Sequence, residues 1–155
     1  MTVREYLTQG YLLEQRIACD MRKAEAARAL AASVSAPLTD GVCISTSPAG
    51  EARFVRVLER GEEMEERVAA ELDLLLNLKE QMDGVIRSVP GEDFRLLLQC
   101  RYTQHMSWAC IAGLLGISRN TALAWHKTAL SRAVLPENPI DIRLFPGGPL
   151  PEPTC

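Results

Sequence analysis

The most informative stretch of this chain is RYTQHMSWACIAGLLGISRNTALAWHKTAL, residues 101–130. Ser107 can cap the start of a helix with its hydroxyl, and the apolar residues that follow it as far as Leu115 recur at the spacing of one helix face. Gly116 then supplies a residue that enters the left-handed backbone region without a Cβ penalty, as the end of a helix often requires. The pattern predicts a short amphipathic helix over residues 107–115.

A second helix is predicted after a turn of only three residues, from Gly116 to Ser118. Ile117 can fill the corner between the helices, and Ser118 can cap a helix over about residues 119–133. A turn of this length holds two helices at a steep angle, so the second one protrudes and can enter a DNA major groove. The spacing therefore predicts a helix-turn-helix.

The second helix of this pair has an inward and an outward face. Small and aromatic residues are expected to face the first helix: Ala122, Trp125, His126 and Ala129. The N-cap and the outward face carry side chains that can bond base edges and phosphates or touch thymine methyls, and they form the candidate DNA-binding set: Ser118, Arg119, Asn120, Thr121, Leu123, Ala124, Lys127 and Thr128. We expect Arg119 to contribute most, because it lies at the start of the helix and can reach a guanine edge or a phosphate.

The segment SWACIAGLLGISRNTALAWHKTAL resembles the C-terminal helix-turn-helix of bacterial sigma factors. Most of residues 3–135 resembles small bacteriophage proteins related to the ArpU-type late transcription regulators. The wider resemblance is carried by VREYLTQGYLLEQRI (3–17), RALAASVSAP (28–37), DGVIRSV (83–89), FRLLLQCRY (94–102) and the Trp-His-x-x-Ala-Leu of residues 125–130. The chain departs from that pattern at Ala109, Cys110, Ala122 and Ala124. The resemblance implies a helical N-terminal part, a DNA-binding C-terminal end and a role in phage or prophage transcription.

The charge is distributed unevenly along the chain, whose net charge is −3. Residues 94–135 carry five basic residues and no acidic one, whereas residues 1–93 carry 11 basic and 17 acidic residues. A polyanion is therefore attracted to the C-terminal helical part alone. Five positive charges are a modest footprint, so we expect a monomer to bind DNA weakly and with strong salt dependence.

The residue pattern favours neither an enzyme nor a metal or cofactor site. The five cysteines form no CxxC pair, and the sequence holds only two histidines, so we interpret the thiols as buried or incidental in a reducing cytoplasm. No Gly-rich phosphate loop and no nucleophile with a partnered histidine is recognisable. No signal-peptide pattern and no apolar run of membrane-spanning length is present, so we expect a protein of the bacterial cytoplasm without a membrane partner.

Two long helices are predicted before this region, over residues 3–33 and about residues 52–89. Residues 34–50 are rich in Ser, Thr, Pro and Gly and are expected to form a flexible loop between them. The two helices would pair as an antiparallel hairpin, and the apolar width left over on the second suggests contact with another copy. A homo-oligomer, with a dimer favoured, is therefore expected, and RNA polymerase is a further candidate partner.

The predicted fold is all-α, because no stretch alternates with period two and aromatic residues make up only 5% of the chain. Residues 1–89 would form the hairpin, and residues 90–135 would form the sigma-factor-like DNA-binding domain, with a supporting helix over residues 94–102. Six of the last twenty residues are proline, so residues 136–155 are expected to be a disordered tail, with a docking motif as the alternative.

These features favour a sequence-specific DNA-binding transcription regulator. One alternative is the DNA-recognition subunit of a phage packaging complex, similar to a small terminase, which would form a ring of many subunits. Another is an interaction protein that binds polymerase or a sigma factor through the hairpin and leaves the basic end unused, since helix-turn-helix geometry also occurs in proteins that do not bind DNA.

Overall fold

The structure is a computed structural model that describes residues 1–35 and 48–145, and all the regular structure within these ranges is helical. In chain order the helices are α1 (Val3–Ser35), α2 (Pro48–Ser88), α3 (Glu92–Leu98), α4 (Trp108–Leu115) and α5 (Arg119–Arg132). A π-helical turn, Gln99–Thr103, continues α3, and a 3-10 turn, Ile142–Leu144, follows α5. The all-α prediction is thus confirmed for the described residues. The centre of the predicted 34–50 loop and the tail beyond residue 145 lie outside them.

The ends of the two long helices differ from the prediction by a few residues. Helix α1 has a capping box that the sequence analysis overlooked: the N–H of Glu5 donates to Thr2 Oγ1 at 3.2 Å, and the N–H of Thr2 donates to Glu5 Oε2 at 2.7 Å. Helix α2 starts at Pro48, inside the predicted loop, because proline has no N–H to lose in the first turn and its fixed φ suits that position. The predicted loop bounds, 34 and 50, were therefore too wide.

The chain divides into two compact units, and the first contains Met1–Gln15 together with the chain from Leu74 onward. Its buried side chains come from the start of α1, the end of α2, helices α3 to α5 and the 3-10 turn, and the fully enclosed ones include Tyr6, Leu7, Leu78, Ile86, Val89, Leu97, Leu98, Ile111 and Ile142. The predicted domain boundary after residue 89 does not match this division. Pro90 and Gly91 turn the chain, but Val89 is only 1% exposed and belongs to the core on which α3 packs.

The second unit, Arg16–Asp73, contains the facing parts of α1 and α2. Arg16 pairs with Glu71, and Asp20 pairs with Arg67, so the contacts run in opposite directions along the two helices, as they do in antiparallel segments. Near the other end of this unit, Ala27 lies beside Gly61. Small residues at this position let the two helix backbones approach closely.

Charged side chains, rather than apolar ones alone, fill one end of the second unit. Arg16 Nε lies 2.8 Å from Glu71 Oε1, and the two side chains are 9% and 5% exposed. Asp20 is also buried and is held by Lys23 at 3.0 Å and by Arg67 at 3.4 Å. Such buried charges are costly unless each has its partner, so they favour the one helix register that brings the partners together.

The segment after α5 packs on the first unit through Ile142, whereas the sequence favoured a disordered tail from residue 136 onward. Ile142 is completely buried, and its N–H donates to Oε1 of Gln9 at 2.9 Å. This segment packs on the first unit, despite its prolines, because Ile140 and Ile142 supply apolar side chains on one side of an extended chain.

We predict that Arg16→Met lowers the free energy of unfolding by about 3 kcal/mol, because it leaves the buried Glu71 carboxylate without its nearest cation. The double variant Arg16→Met with Glu71→Met should recover more than half of that loss, since it removes both charges and keeps the volume. Urea denaturation of the two variants and the wild type measures both values. A single variant within 1 kcal/mol of the wild type would contradict the prediction.

Candidate nucleic-acid interface

Helix α4 has the bounds and caps that its sequence predicts. Ser107 Oγ accepts the N–H of Cys110 at 3.3 Å, and Ile111 and Ala112 are buried. Gly116 ends the helix in the left-handed region, with φ 65° and ψ 31°. The N–H of Ile117 then donates to the carbonyl of Ala112 at 3.0 Å, which satisfies one of the last carbonyls of the helix.

Helix α5 follows directly, and Ser118 is its N-cap. Ser118 Oγ accepts the N–H of Thr121 at 3.1 Å and lies 2.8 Å from Thr121 Oγ1. Ala122 and Ala129 are fully buried, and the helix packs against α3 and α4. The inward face is therefore made of the predicted residues, and its small side chains let α5 lie close to its neighbours.

The outward face of α5 exposes the predicted set of residues able to contact DNA. Arg119, Asn120, Ala124 and Lys127 are exposed, and Leu123 is 40% exposed. Within the described part of the chain, the side chains of Arg119, Asn120 and Lys127 make no hydrogen bond or ion pair. Their donors are free to bind a ligand, and two of the three side chains are cationic.

Three other members of the predicted set have structural bonds of their own. Ser118 and Thr121 form the N-cap described above, and Thr128 Oγ1 donates to the carbonyl of Ala124 at 3.1 Å. Thr121 and Thr128 are also half-buried. The structure thus separates the set into residues that hold the helix and residues that only project from it.

His126 lies behind this face and connects α5 to the rest of the first unit. Its Nε2 is 2.8 Å from the hydroxyl of Tyr102, in the π-helical turn, and its ring meets the Trp108 ring edge-on at 4.8 Å. On Trp108 lies the guanidinium of Arg101, which also donates to the carbonyl of Met106 at 2.9 Å. The sequence placed His126 inward, but it carried no signal for the bond to Tyr102, because a π-helical turn is not visible in the residue pattern.

A similar aromatic contact supports the other side of α5. Trp125 meets Phe94 of α3 edge-on at 5.7 Å, and the guanidinium of Arg132 lies 5.3 Å from the same ring. Trp125 therefore packs against protein, as its inward position predicted. Arg132 lends part of its charge to a cation–π contact.

The connection into α4 is fixed by His105, a residue with left-handed backbone, φ 54°. Its Nε2 lies 2.7 Å from Glu14 Oε2, and Glu14 also bonds Lys79. Burial alone would raise the pKa of Glu14, but the hydrogen bonds from Lys79 and His105 outweigh it, so that pKa is lowered. The sequence did not indicate this cluster, whose members are separated by up to 91 positions.

The five basic residues of the C-terminal part do not contribute equally to a surface charge. Arg101 and Arg132 are held on aromatic rings, and Arg95 Nε donates to the carbonyl of Gly91 at 3.4 Å. Arg119 and Lys127 project from α5 without such contacts in the described chain. The strongest positive charge available to a ligand is therefore on the outward face of α5.

Comparison of the chain with protein-family models, curated proteins and solved structures gives no match. In the ranges that the structure describes, no cluster of three or more His, Cys, Asp or Glu side chains could hold a metal ion. No described helix is long and apolar enough to cross a membrane. Functional conclusions consequently depend on the geometry of α5 and its surroundings.

We predict that His126 makes the stability of the protein depend on pH. Burial, with the nearby charges of Arg4 and Arg101, lowers the pKa of His126 from 6.5 to about 4, so the folded state keeps this imidazole neutral. The unfolded chain binds a proton below about pH 6.5 and the folded chain does not, so stability should fall on acidification by on the order of 2 kcal/mol at pH 5.

Urea denaturation of the wild type and of His126→Gln at pH 7 and pH 5 measures this effect. Glutamine keeps a polar group for the Tyr102 hydroxyl but cannot titrate, so the variant should lose much less stability between the two pH values. Equal losses in the two proteins would show that His126 is not the group responsible.

Proposed function

We propose that this chain is a sequence-specific DNA-binding regulator of transcription, acting on phage or prophage genes in the bacterial cytoplasm. The observation that supports it best is the outward face of α5. This face follows a three-residue turn, carries exposed Arg119, Asn120 and Lys127 without partners in the described chain, and lies in a stretch of 42 residues without an acidic side chain. Helices α4 and α5 would then form a sigma-factor-like helix-turn-helix, with α5 as the recognition helix.

Each exposed residue of α5 has a chemically reasonable role in such a complex. Arg119 can bond guanine O6 and N7 or a phosphate, and Asn120 can bond adenine N6 and N7. Lys127 can neutralise a phosphate about two turns further along the helix. Leu123 and Ala124 can touch thymine methyl groups, which suits a site that contains A·T pairs as well as a guanine.

The N-terminal helices would serve as a dimerisation hairpin in this proposal. A groove in the second unit has Met21 and Ala24 of α1 on one side and Val68 and Leu72 of α2 on the other, and Met21 and Leu72 are 52% and 41% exposed. Charged side chains complete its lining: Glu25, Arg28 and Glu65. A second copy that covers this surface would give a dimer with two recognition helices. Two half-sites would compensate for the small charge of each protomer. Contact between this hairpin and RNA polymerase is a further part of the proposal.

We predict that Arg119→Ala weakens binding to the preferred duplex by about 1–3 kcal/mol and relaxes its sequence preference, because it removes a base contact. Lys127→Ala should weaken binding to all sequences similarly and reduce the slope of log affinity against log salt by about one. Enrichment from a random duplex library, followed by titration at about 50 and 200 mM salt, measures these effects.

The matched control is Arg53→Ala, which removes the same charge from an exposed position on α2. It should bind DNA as the wild type does. No enrichment and no salt dependence in the wild type would reject DNA binding and would favour the hypothesis of an interaction protein.

We predict that Leu72→Glu converts a dimer into a monomer, because it places a charge among the apolar side chains of the groove, Met21, Ala24 and Val68. Size-exclusion chromatography with light scattering gives the mass directly. Val134→Glu is the control, since Val134 is 66% exposed and lies far along the chain in the first unit. A wild-type ring of many subunits would instead favour the packaging alternative.

A further inference from the structure

The segment after α5 is bound to the first unit through its main chain. Asp141 has φ −115° and ψ 108°, so the chain is extended there before it enters the 3-10 turn. Two glutamines on different helices bond this extended segment, Gln9 of α1 and Gln81 of α2. Gln9 is itself buried, at 6% exposed, which is unusual for an amide side chain that has no structural task.

The bonds alternate along the segment as they do in a β-ladder. Gln81 Nε2 donates to the carbonyl of Asn138 at 3.2 Å, and Gln81 Oε1 accepts the N–H of Ile140 at 3.2 Å. Gln9 Nε2 donates to the carbonyl of Ile140 at 3.1 Å, and Gln9 Oε1 accepts the N–H of Ile142 at 2.9 Å. Each side-chain amide thus offers one donor and one acceptor to residues two apart, which is what the edge of a neighbouring strand would offer.

Both glutamines also form hydrogen bonds with Tyr6 of α1. The hydroxyl of Tyr6 donates to Gln81 Oε1 at 2.9 Å, and Gln9 Nε2 also donates to the carbonyl of Tyr6 at 3.2 Å. Tyr6 is completely buried in the core of this unit. Residues of α1 and α2 therefore also hold the receptor side of the contact, in addition to its bonds with the tail.

The side chains of the segment provide the selectivity that main-chain bonds cannot. Ile142 is completely buried and Ile140 is half-buried, whereas Leu144 is 83% exposed. Residues two apart in an extended chain point to the same side, so the groove selects branched apolar side chains at two alternate positions. An open cavity lies beside Ile142, and its lining combines apolar with charged side chains: Met1, Leu12, Arg4, Glu5 and Arg143.

We propose that Gln9 and Gln81 form a docking site for extended peptides, that the chain's own residues 138–142 are its resident ligand, and that it binds in trans a partner segment with the same chemistry. That chemistry is an extended main chain with branched apolar residues two positions apart. The mode is β-strand addition with glutamine side chains in place of the strand edge.

The tail masks this site in the intact protein. Five residues, 133–137, join the end of α5 to Asn138, and a tether this short gives the tail an effective concentration of about the millimolar range. A free peptide must compete with that value, so the unmodified chain should bind it weakly. A variant whose tail no longer fits the groove should bind it well.

The test uses a fluorescent peptide with the sequence of residues 136–145, PENPIDIRLF, and full-length proteins. Ile142→Asp in the protein should release the tail and increase peptide affinity at least about tenfold over the wild type. Adding Gln9→Leu to that variant should abolish the gain, and a peptide carrying the same Ile142→Asp change should not bind. Equal, weak binding of the peptide to all three proteins would overturn the proposal.

Hydrogen exchange of single amides in the full chain tests the site without releasing the tail. The amides of Ile140 and Ile142 should be protected in the wild type. Gln81→Leu should speed exchange chiefly at Ile140, and Gln9→Leu chiefly at Ile142, because each glutamine accepts one of the two N–H groups. Wild-type amides that exchange as fast as those of the free peptide would also overturn the proposal, even if Ile142→Asp failed to fold.

Discussion

The hydrogen bond between Tyr102 and His126 holds helix α5 in the position from which it presents its outward face. Ala122 and Ala129 are the other fully buried residues of that helix, and alanine buries little apolar surface. Small side chains let α5 approach α3 and α4 closely but do not by themselves fix its rotation about its own axis. A directed bond of 2.8 Å to the π-helical turn, with the edge of Trp108 against the same ring, does so. The position of Arg119 and Lys127 therefore depends on a polar contact behind them.

The side chains around His126 also determine which basic residues remain available for a ligand. Burial, with the nearby charges of Arg4 and Arg101, lowers the pKa of His126 to about 4, so the imidazole stays neutral at pH 7 and adds no charge of its own. Arg101 is further engaged by Trp108 and a carbonyl, and Arg132 by Phe94. Two of the five basic residues in this region, Arg101 and Arg132, are thus engaged by aromatic rings that pack beside α5. A binding surface built on the two cations of the outward face of α5, Arg119 and Lys127, is small, which is the physical reason for proposing two protomers on one DNA site.

Local signals in the sequence predicted local structure well, and contacts between distant residues could not be predicted from it. Ser107, Gly116 and Ser118 act on their own helix ends, so the bounds of α4 and α5 followed from the sequence alone. Glu71 resembles the solvated glutamates before it, and only the approach of Arg16 from α1 makes its burial possible. The exposed residues of the candidate interface were predicted because a helix face has a fixed period, whereas the bonds that hold this helix in place were not.

The packing of residues 138–142 could not be predicted from the sequence either, because it depends on distant residues. An extended segment beside two helices has peptide groups that no helix can satisfy, and each buried unsatisfied group costs about 1–3 kcal/mol. Proline-rich composition therefore argues for disorder unless side chains elsewhere supply the missing donors and acceptors. Gln9 and Gln81 are 72 positions apart and unremarkable in sequence, yet together they bond four peptide groups of the tail, of which the N–H of Ile142 is the most deeply buried. The conformation of residues 138–142 consequently depends on α1 and α2 as much as on the tail itself. The bonds of Gln9 and Gln81 connect the start of α1 and the end of α2 to the segment that follows α5.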